Sequence, residues 1–332
     1  MLTDKRVWVG VAISLVFLAL FLGETDLGRL GAALSGAQYG YVLVAALLYF
    51  PGVWCRAARW RVLLAPLREL SVARLYPVVV IGYMVNDVLP LRAGEVARAY
   101  LLRRREGISP AATLATIGVE RVSDGLTLLA LAAAVALGLP LADWLRDLLR
   151  AMAVLFLVGF AVVLAVAVRE TWSRWLLYQV VRRLPEALAS PLGSLAGRFL
   201  EGLRALQRPE RVAALFGWAL LAWLGELLVF YVVALAFDLG QPLTVLALAM
   251  AASNLATSLP SSQGGIGPFE FFCAQTLLAF GTEPGLATAY TIVLHAVLIL
   301  PVVLAGCFHL WQEQVGLRAV LGRGAGPSPQ RP

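Results

Sequence analysis

Asn86-Asp87-Val88-Leu89-Pro90-Leu91-Arg92-Ala93-Gly94-Glu95 closes one apolar stretch of this chain. A second closes on Asn254-Leu255-Ala256-Thr257-Ser258-Leu259-Pro260-Ser261-Ser262-Gln263-Gly264-Gly265-Ile266-Gly267-Pro268-Phe269-Glu270. Each has an Asn, a Leu-Pro pair, a glycine turn and a Glu, and the match continues downstream without a gap. From Glu95 to Thr113 and from Glu270 to Thr288 is 18 residues, and from Glu95 to Glu120 and from Glu270 to His295 is 25. The pair Thr116-Ile117 recurs as Thr291-Ile292. The spacing predicts an internal repeat with halves covering about 7–139 and 151–311.

Outward from these blocks lie long apolar runs. A bilayer core about 30 Å thick takes roughly 20 helical residues to cross. Spans are predicted at 7–23, 39–59, 110–139, 151–168, 212–237 and 285–311. The first reads as a retained span and not a cleaved leader, because no small-residue cleavage site follows it and Glu24 and Asp26 come next. The stretches 75–90 and 243–260 behave differently. Each runs into a proline and a polar glycine turn, and the pieces beyond, near 95–104 and 268–281, are too short or too charged to span. Each pair is expected to form a helical hairpin that enters and leaves the membrane on one side, tolerated where protein or water covers the turn. The predicted class is all-α: a polytopic membrane bundle of six full spans plus two re-entrant hairpins. Three crossings per half invert the second repeat against the first, an arrangement used by transporters. Counting the hairpins as crossings gives eight spans, the alternative.

Composition agrees with that class. Of 332 residues, 60% are hydrophobic and only 14% charged, against about 25% charged in soluble domains. The net charge is +7, and Lys5 is the only lysine. The arginines lie between apolar runs, which argues for cytoplasmic loops and against a nucleic-acid partner. The stretch 56–74 holds Arg56, Arg59, Arg61, Arg68 and Arg74 against Glu69, and 169–211 holds eight arginines against four glutamates. Placing the basic stretches inside puts both termini, the loop 169–211 and the tail 313–332 in the cytoplasm. The expectation is a single transmembrane domain over 1–312 in the inner, cytoplasmic membrane. Cys55, Cys273 and Cys307 form no metal-ligand or disulfide pattern. No nucleotide-binding glycine motif is present, so no cofactor, metal or nucleotide-driven pumping is expected.

Polar residues inside the apolar helices mark the chemistry. Thr113, Thr116, Glu120, Asp124 and Thr127 recur every three or four residues and share one helix face, and Arg121 sits beside them. A charge at the bilayer centre costs roughly 2.5–3.5 kcal/mol, so that face must look into protein or water. Arg121 and Asp124, three apart, can neutralise each other. The turn 261–267 presents backbone N–H groups ahead of a helix starting at Pro268, a geometry that attracts anions. Arg92, Gly94 and Arg98 occupy the matching place in the first copy, and a guanidinium fork suits phosphate. Glu95, Glu226 and Glu270 are further acids in apolar surroundings, available to pair with arginines or to carry protons.

In these blocks the chain resembles the flippase-like membrane domain of lysylphosphatidylglycerol synthases, a family with many stand-alone members. The resemblance rests on Asn86-x-x-Leu89-Pro90-Leu91-Arg92-x-Gly94-Glu95-x-x-Arg98, on Glu120-Arg121-x-x-Asp124, on Leu259-Pro260 through Gly264-Gly265-x-Gly267-x-x-Glu270, and on Pro301 with Gly306. It implies a polytopic domain that translocates an anionic or modified phospholipid, or an isoprenoid-linked lipid. The family often has an arginine where this chain has His295. The soluble aminoacyl-transfer domain of the bifunctional members has no counterpart here, so no aminoacyl transfer is expected of this chain.

The expected function is therefore lipid flipping, with no catalytic residues. The headgroup would be bound among Asn86, Asp87, Arg92, Gly94, Glu95, Arg98, Glu120, Arg121, Asp124, Asn254, Ser261, Ser262, Gln263, Gly264, Gly265, Gly267, Glu270 and His295. The expected partners are a lipid with a phosphate headgroup, the bilayer, and a separate lipid-modifying enzyme. Two alternatives are an intramembrane lipid or glycan transferase, with Asp87, Glu120 or Asp124 as base, and a membrane subunit of a lipid-modifying synthase.

Overall fold

The computed structural model describes residues 5–23, 26–90, 92–183, 186–258 and 263–312. Ser261, Ser262, Leu91 and the tail 313–332 lie outside these. The described residues form helices α1 (Lys5–Leu22), α2 (Leu27–Gly36), α3 (Tyr39–Leu64), α4 (Val72–Val88), α5 (Ala93–Glu106), α6 (Pro110–Ala136) and α7 (Asp143–Val168). After these come α8 (Glu170–Val181), α9 (Glu186–Gly202), α10 (Pro209–Ala236), α11 (Leu243–Ala256), α12 (Pro268–Ala279) and α13 (Pro284–Gln312). Two short 3₁₀ turns, Arg204–Gln207 and Gln263–Gly265, complete them. Four helices start on a proline (Pro110, Pro209, Pro268 and Pro284), which fits a position whose N–H has no helical partner.

α3, α7, α10 and α13 are long and apolar enough to cross a membrane, and α1 and α2, bent by 85° at their junction, add a fifth if counted together. Their apolar side chains are exposed where a soluble protein would bury them, including Leu43, Leu47, Val154, Leu157 and Leu304. Apolar surface of that extent fits a lipid solvent. The chain is thus an all-helical, multi-pass membrane protein. α6 has the length of a span, at 27 residues, but Glu120, Arg121 and Asp124 set it apart from the apolar spans.

Six full spans were expected, and four or five helices among the described residues qualify by length and composition; two further differences concern charged residues. Arg56 and Arg59, counted with a loop, lie within α3 and are buried; each has a carboxylate partner, described below. The span expected to start at 151 begins eight residues earlier, at Asp143. There the ion pairs Arg146–Asp143 (3.2 Å) and Arg150–Asp147 (3.5 Å), each three residues apart, continue the helix into polar sequence.

Each stretch expected to form a hairpin is a packed pair of helices. α4 folds onto α5 and α11 onto α12. These helices have 17, 14, 14 and 12 residues, or about 18–26 Å at 1.5 Å per residue. Gly82 and Gly94 make the first hairpin possible, since a Cβ on Gly94 would run into the Gly82 carbonyl and the Asn86 side chain. Asn86 Oδ1 accepts the Gly94 N–H at 2.8 Å. Gly94→Val is expected to destabilise the protein by about 1–3 kcal/mol, the usual cost of overpacking, as a lower melting temperature in detergent.

The fold divides into two compact units. The first contains Met1–Arg56, Arg121–Ala161 and Phe216–Pro301, and the second Ala57–Glu120, Val162–Leu215 and Val302–Pro332. In the first, α11 is apolar on every side and buries 11 of its 14 residues, as a helix surrounded by protein must. Phe230, Phe237, Phe269 and Tyr290 pack around it, and the Tyr290 hydroxyl donates to the Phe230 carbonyl at 3.0 Å. Outside the spans of this unit, Glu283 caps α13. Its bond from the Leu286 N–H (2.8 Å), aided by Arg29, holds its carboxyl below the ordinary carboxylate range. In the second unit, Val79, Val80, Ile81, Leu101 and Leu102 of the α4–α5 pair are buried.

Candidate functional site

Three buried polar clusters gather most of the expected residues. In the second unit, α3, α5 and α6 meet around Glu120. Arg98 Nη2 donates to Glu120 Oε2 at 2.7 Å, and Arg59 Nη2 lies 3.7 Å from Glu120 Oε1. All three residues are 3% exposed or less. The Arg98 guanidinium stacks 3.9 Å above the Trp60 ring, and Trp60 Nε1 donates to Thr116 Oγ1 at 3.0 Å. A guanidinium between a carboxylate and an indole face gains an ion pair and a cation–π contact together. Glu120 thus has Arg98 and Arg59 as partners from other helices, and not only its neighbour Arg121. Arg121 is half-buried.

In the first unit, α3, α6, α10 and α11 converge on Glu226. It accepts from Arg56 Nη2 and, at 3.0 Å, from Asn254 Nδ2. Arg56 lies 4.6 Å above Trp223, whose Nε1 donates to Asp124 Oδ1 at 3.0 Å. The recurrent asparagines therefore do different work. Asn86 closes its own hairpin, whereas Asn254 ties α11 to α10.

The third cluster, also in the first unit, holds the glycine turn against the last span. Glu270 Oε2 accepts the Gly267 N–H at 2.7 Å and Glu270 Oε1 contacts His295 Nδ1. His295 Nε2 lies 3.1 Å from the Gly264 carbonyl, and Phe269 stacks on the imidazole at 4.1 Å. Both ring nitrogens thus face oxygen atoms, one of a carboxyl and one of a backbone carbonyl. Gly264 and Gly267 have φ of 67° and 100°, a region that side chains with a Cβ rarely enter. Gln263 is exposed in this turn, followed by the half-buried Gly264 and Gly265.

The two segments expected to form a repeat share one feature. In each copy the short hairpin helix is joined to the following long helix by a buried acid–base pair, Arg98–Glu120 in the first and Glu270–His295 in the second. The offset of 25 residues runs from Glu95 to Glu120, whereas the residue that contacts Glu120 is Arg98, one turn later. Glu95 remains near the hairpin tip, its Oε1 3.9 Å from Arg92 Nη1. Arg92 itself has φ of 52°, uncommon for a non-glycine residue. Asp87 is half-buried at the end of α4. Arg56, Arg59, Trp60 and Trp223 were not among the expected site residues. Arg56, Arg59 and Trp60 do carry a signal, a helical spacing of three and four residues along one face of α3.

The profile of the lysylphosphatidylglycerol synthase TM region matches residues 7–306. Two proteins of Methanothermobacter thermautotrophicus, each named UPF0104 membrane protein, are similar to the chain. One is 26% identical over 299 residues, covering 85% of this chain and 88% of the relative. The other is 25% identical over 305 residues, covering 87% and 88%. The Glycosyltransferase AglD of Haloferax volcanii is 26% identical over 319 residues. That match covers 87% of this chain but 51% of AglD, so the chain spans about half of that relative.

Proposed function

We propose that this chain, which belongs to the lysylphosphatidylglycerol synthase transmembrane-region family, moves a lipid with an anionic headgroup across the cytoplasmic membrane. The observation that carries the reading is the buried acid–base pair recurring in both repeat copies, between a hairpin helix and the helix after it. Buried charges in a membrane helix are costly and mark substrate or ion pathways. In this reading the two hairpins are re-entrant, six helices cross, and α6 crosses with its charges facing protein. Arg98, Arg59 and Glu120 hold the first hairpin in place. Arg92, at a strained tip with a side chain 45% exposed, binds the headgroup phosphate in the second unit, and Arg121 binds it in the first. In the first unit, the N–H groups of the glycine turn at the start of α12 add hydrogen bonds to an anion.

Reconstitution tests the function: labelled phosphatidylglycerol, phosphatidylcholine and an isoprenoid phosphate are compared for protein-dependent crossing. Faster crossing of the anionic lipids supports the reading, and equal rates with and without protein reject it. Arg121→Ala is expected to abolish crossing in a protein that stays monodisperse, and Arg121→Lys to impair it strongly, because an ammonium cannot reproduce the bidentate fork. Orientation is tested separately. External cysteine labelling should reach positions near Asp26, Asp143 and Gln241 and miss Arg104 and Arg182; labelling at Arg182 would reverse the topology.

A second reading draws on AglD. A protein named as a glycosyltransferase shares this membrane part, which favours a chain that presents a lipid to a separate transferase. Dependence of a partner enzyme's product, with no lipid movement by the chain alone, would select this reading.

A further inference from the structure

We propose that α8 and α9 form an interfacial hairpin that lies on the anionic phospholipid surface where α7 ends. The proposal does not rest on lipid movement. α7 ends at Val168 and α8 begins at Glu170, so α8 leaves the span with a single residue between. α8 and α9 pack on each other, yet each leaves an apolar stripe uncovered. On α8, Trp172, Trp175 and Tyr178 are 52–64% exposed, and on α9, Leu192, Leu195 and Phe199 are 43–55% exposed. The spacings are those of one helix face. On α9, Ser190, Ser194 and Arg198 are exposed as well, and at 100° per residue they form a separate polar stripe. Two exposed stripes of opposite character describe a helix lying at an apolar–polar boundary, not one immersed in water. Trp and Tyr beside a span end are the residues enriched at headgroup level.

Charge selects the occupant. The stretch 169–211 carries eight arginines and four glutamates, and an arginine-rich segment next to a span is drawn to anionic lipid. A cleft of about 550 Å³ at the same place is lined by Val168, Arg169, Thr171, Trp172 and Gln207. It combines one guanidinium with an indole and polar side chains, a lining suited to a phosphate headgroup. A soluble protein partner would instead bury the apolar stripes and leave no dependence on lipid charge.

The test uses the full chain with Cys55, Cys273 and Cys307 replaced by alanine. Leu195→Cys and Ser194→Cys are each labelled with an environment-sensitive fluorophore. The proteins are reconstituted in phosphatidylcholine, alone or mixed with phosphatidylglycerol, containing lipid with a nitroxide near the headgroup end of its acyl chain. The label at 195 is expected to lose most of its emission, since such helices sit about 5–10 Å into the headgroup boundary, and the label at 194 to keep most of it. Quenching at 195 should rise with phosphatidylglycerol, and Arg169→Gln with Arg198→Gln should remove that rise. Trp175→Cys repeats the test on α8 should the α9 variants fail to reconstitute. Equal quenching at 194 and 195, no quenching at 195 and 175, or no effect of phosphatidylglycerol would overturn the proposal.

Discussion

Arg98→Ala is expected to destabilise the protein by about 3 kcal/mol and to stop lipid movement. The stability estimate is the lower end of what removing one partner from a buried ion pair costs. The lower end applies because Arg59 remains 3.7 Å from Glu120 and shares the neutralisation. The loss has two sources, the bond to Glu120 and the stack on Trp60. Arg98→Lys keeps a charge but not the planar face, so it should fall between Arg98→Ala and the unaltered protein. Arg98→Leu combined with Glu120→Leu separates structure from function. Apolar replacement of both members of a buried pair is often neutral or stabilising, so the double variant should recover the melting temperature. If the pair also positions the hairpin that meets the headgroup, the recovered protein still moves no lipid.

Glu270→Ala is the second large effect. One carboxylate caps the Gly267 N–H and holds His295, which in turn reaches the Gly264 carbonyl. Its removal frees the turn from both ends. Losing two hydrogen bonds to a buried charged group costs about 3 kcal/mol or more, and the turn should become accessible to proteolysis or to labelling at Gln263. Glu270→Gln still accepts from Gly267 and should keep the turn closed with a much smaller stability loss. A melting temperature for Glu270→Ala equal to that of the unaltered chain would contradict this role.

The parts of this fold that were legible in sequence are those with short-range causes. Leu-Pro followed by glycine marks each hairpin because proline ends a helix and glycine reverses the chain. Proline also marks the start of α6, α10, α12 and α13. The offset from Glu270 to His295 sets the spacing of the expected repeat, and the contact between the two side chains emerges only in the structure. Long-range pairing was not legible. A count of loop charges assigns Arg56 and Arg59 to the interface, because an arginine at the end of an apolar run ordinarily sits there. The partner that buries Arg56 is Glu226, 170 residues away, and no local pattern names it. Nor does any local pattern show which arginine reaches Glu120; Arg98, 22 residues away, does. The short helices α2, α8 and α9 carry weak local signals. The two in the basic stretch become visible through their exposed stripes once the helices are drawn.

The family match fixes the kind of membrane domain; the role proposed for its buried acid–base pairs is movement of an anionic lipid. The direct measurement is the initial rate at which labelled phosphatidylglycerol crosses vesicles containing either the unaltered chain or the Arg98→Leu, Glu120→Leu double variant, at matched protein density. The account predicts crossing well above protein-free vesicles for the unaltered chain and the protein-free rate for a stably folded double variant. Equal rates for the two proteins, or no crossing by either, would contradict it.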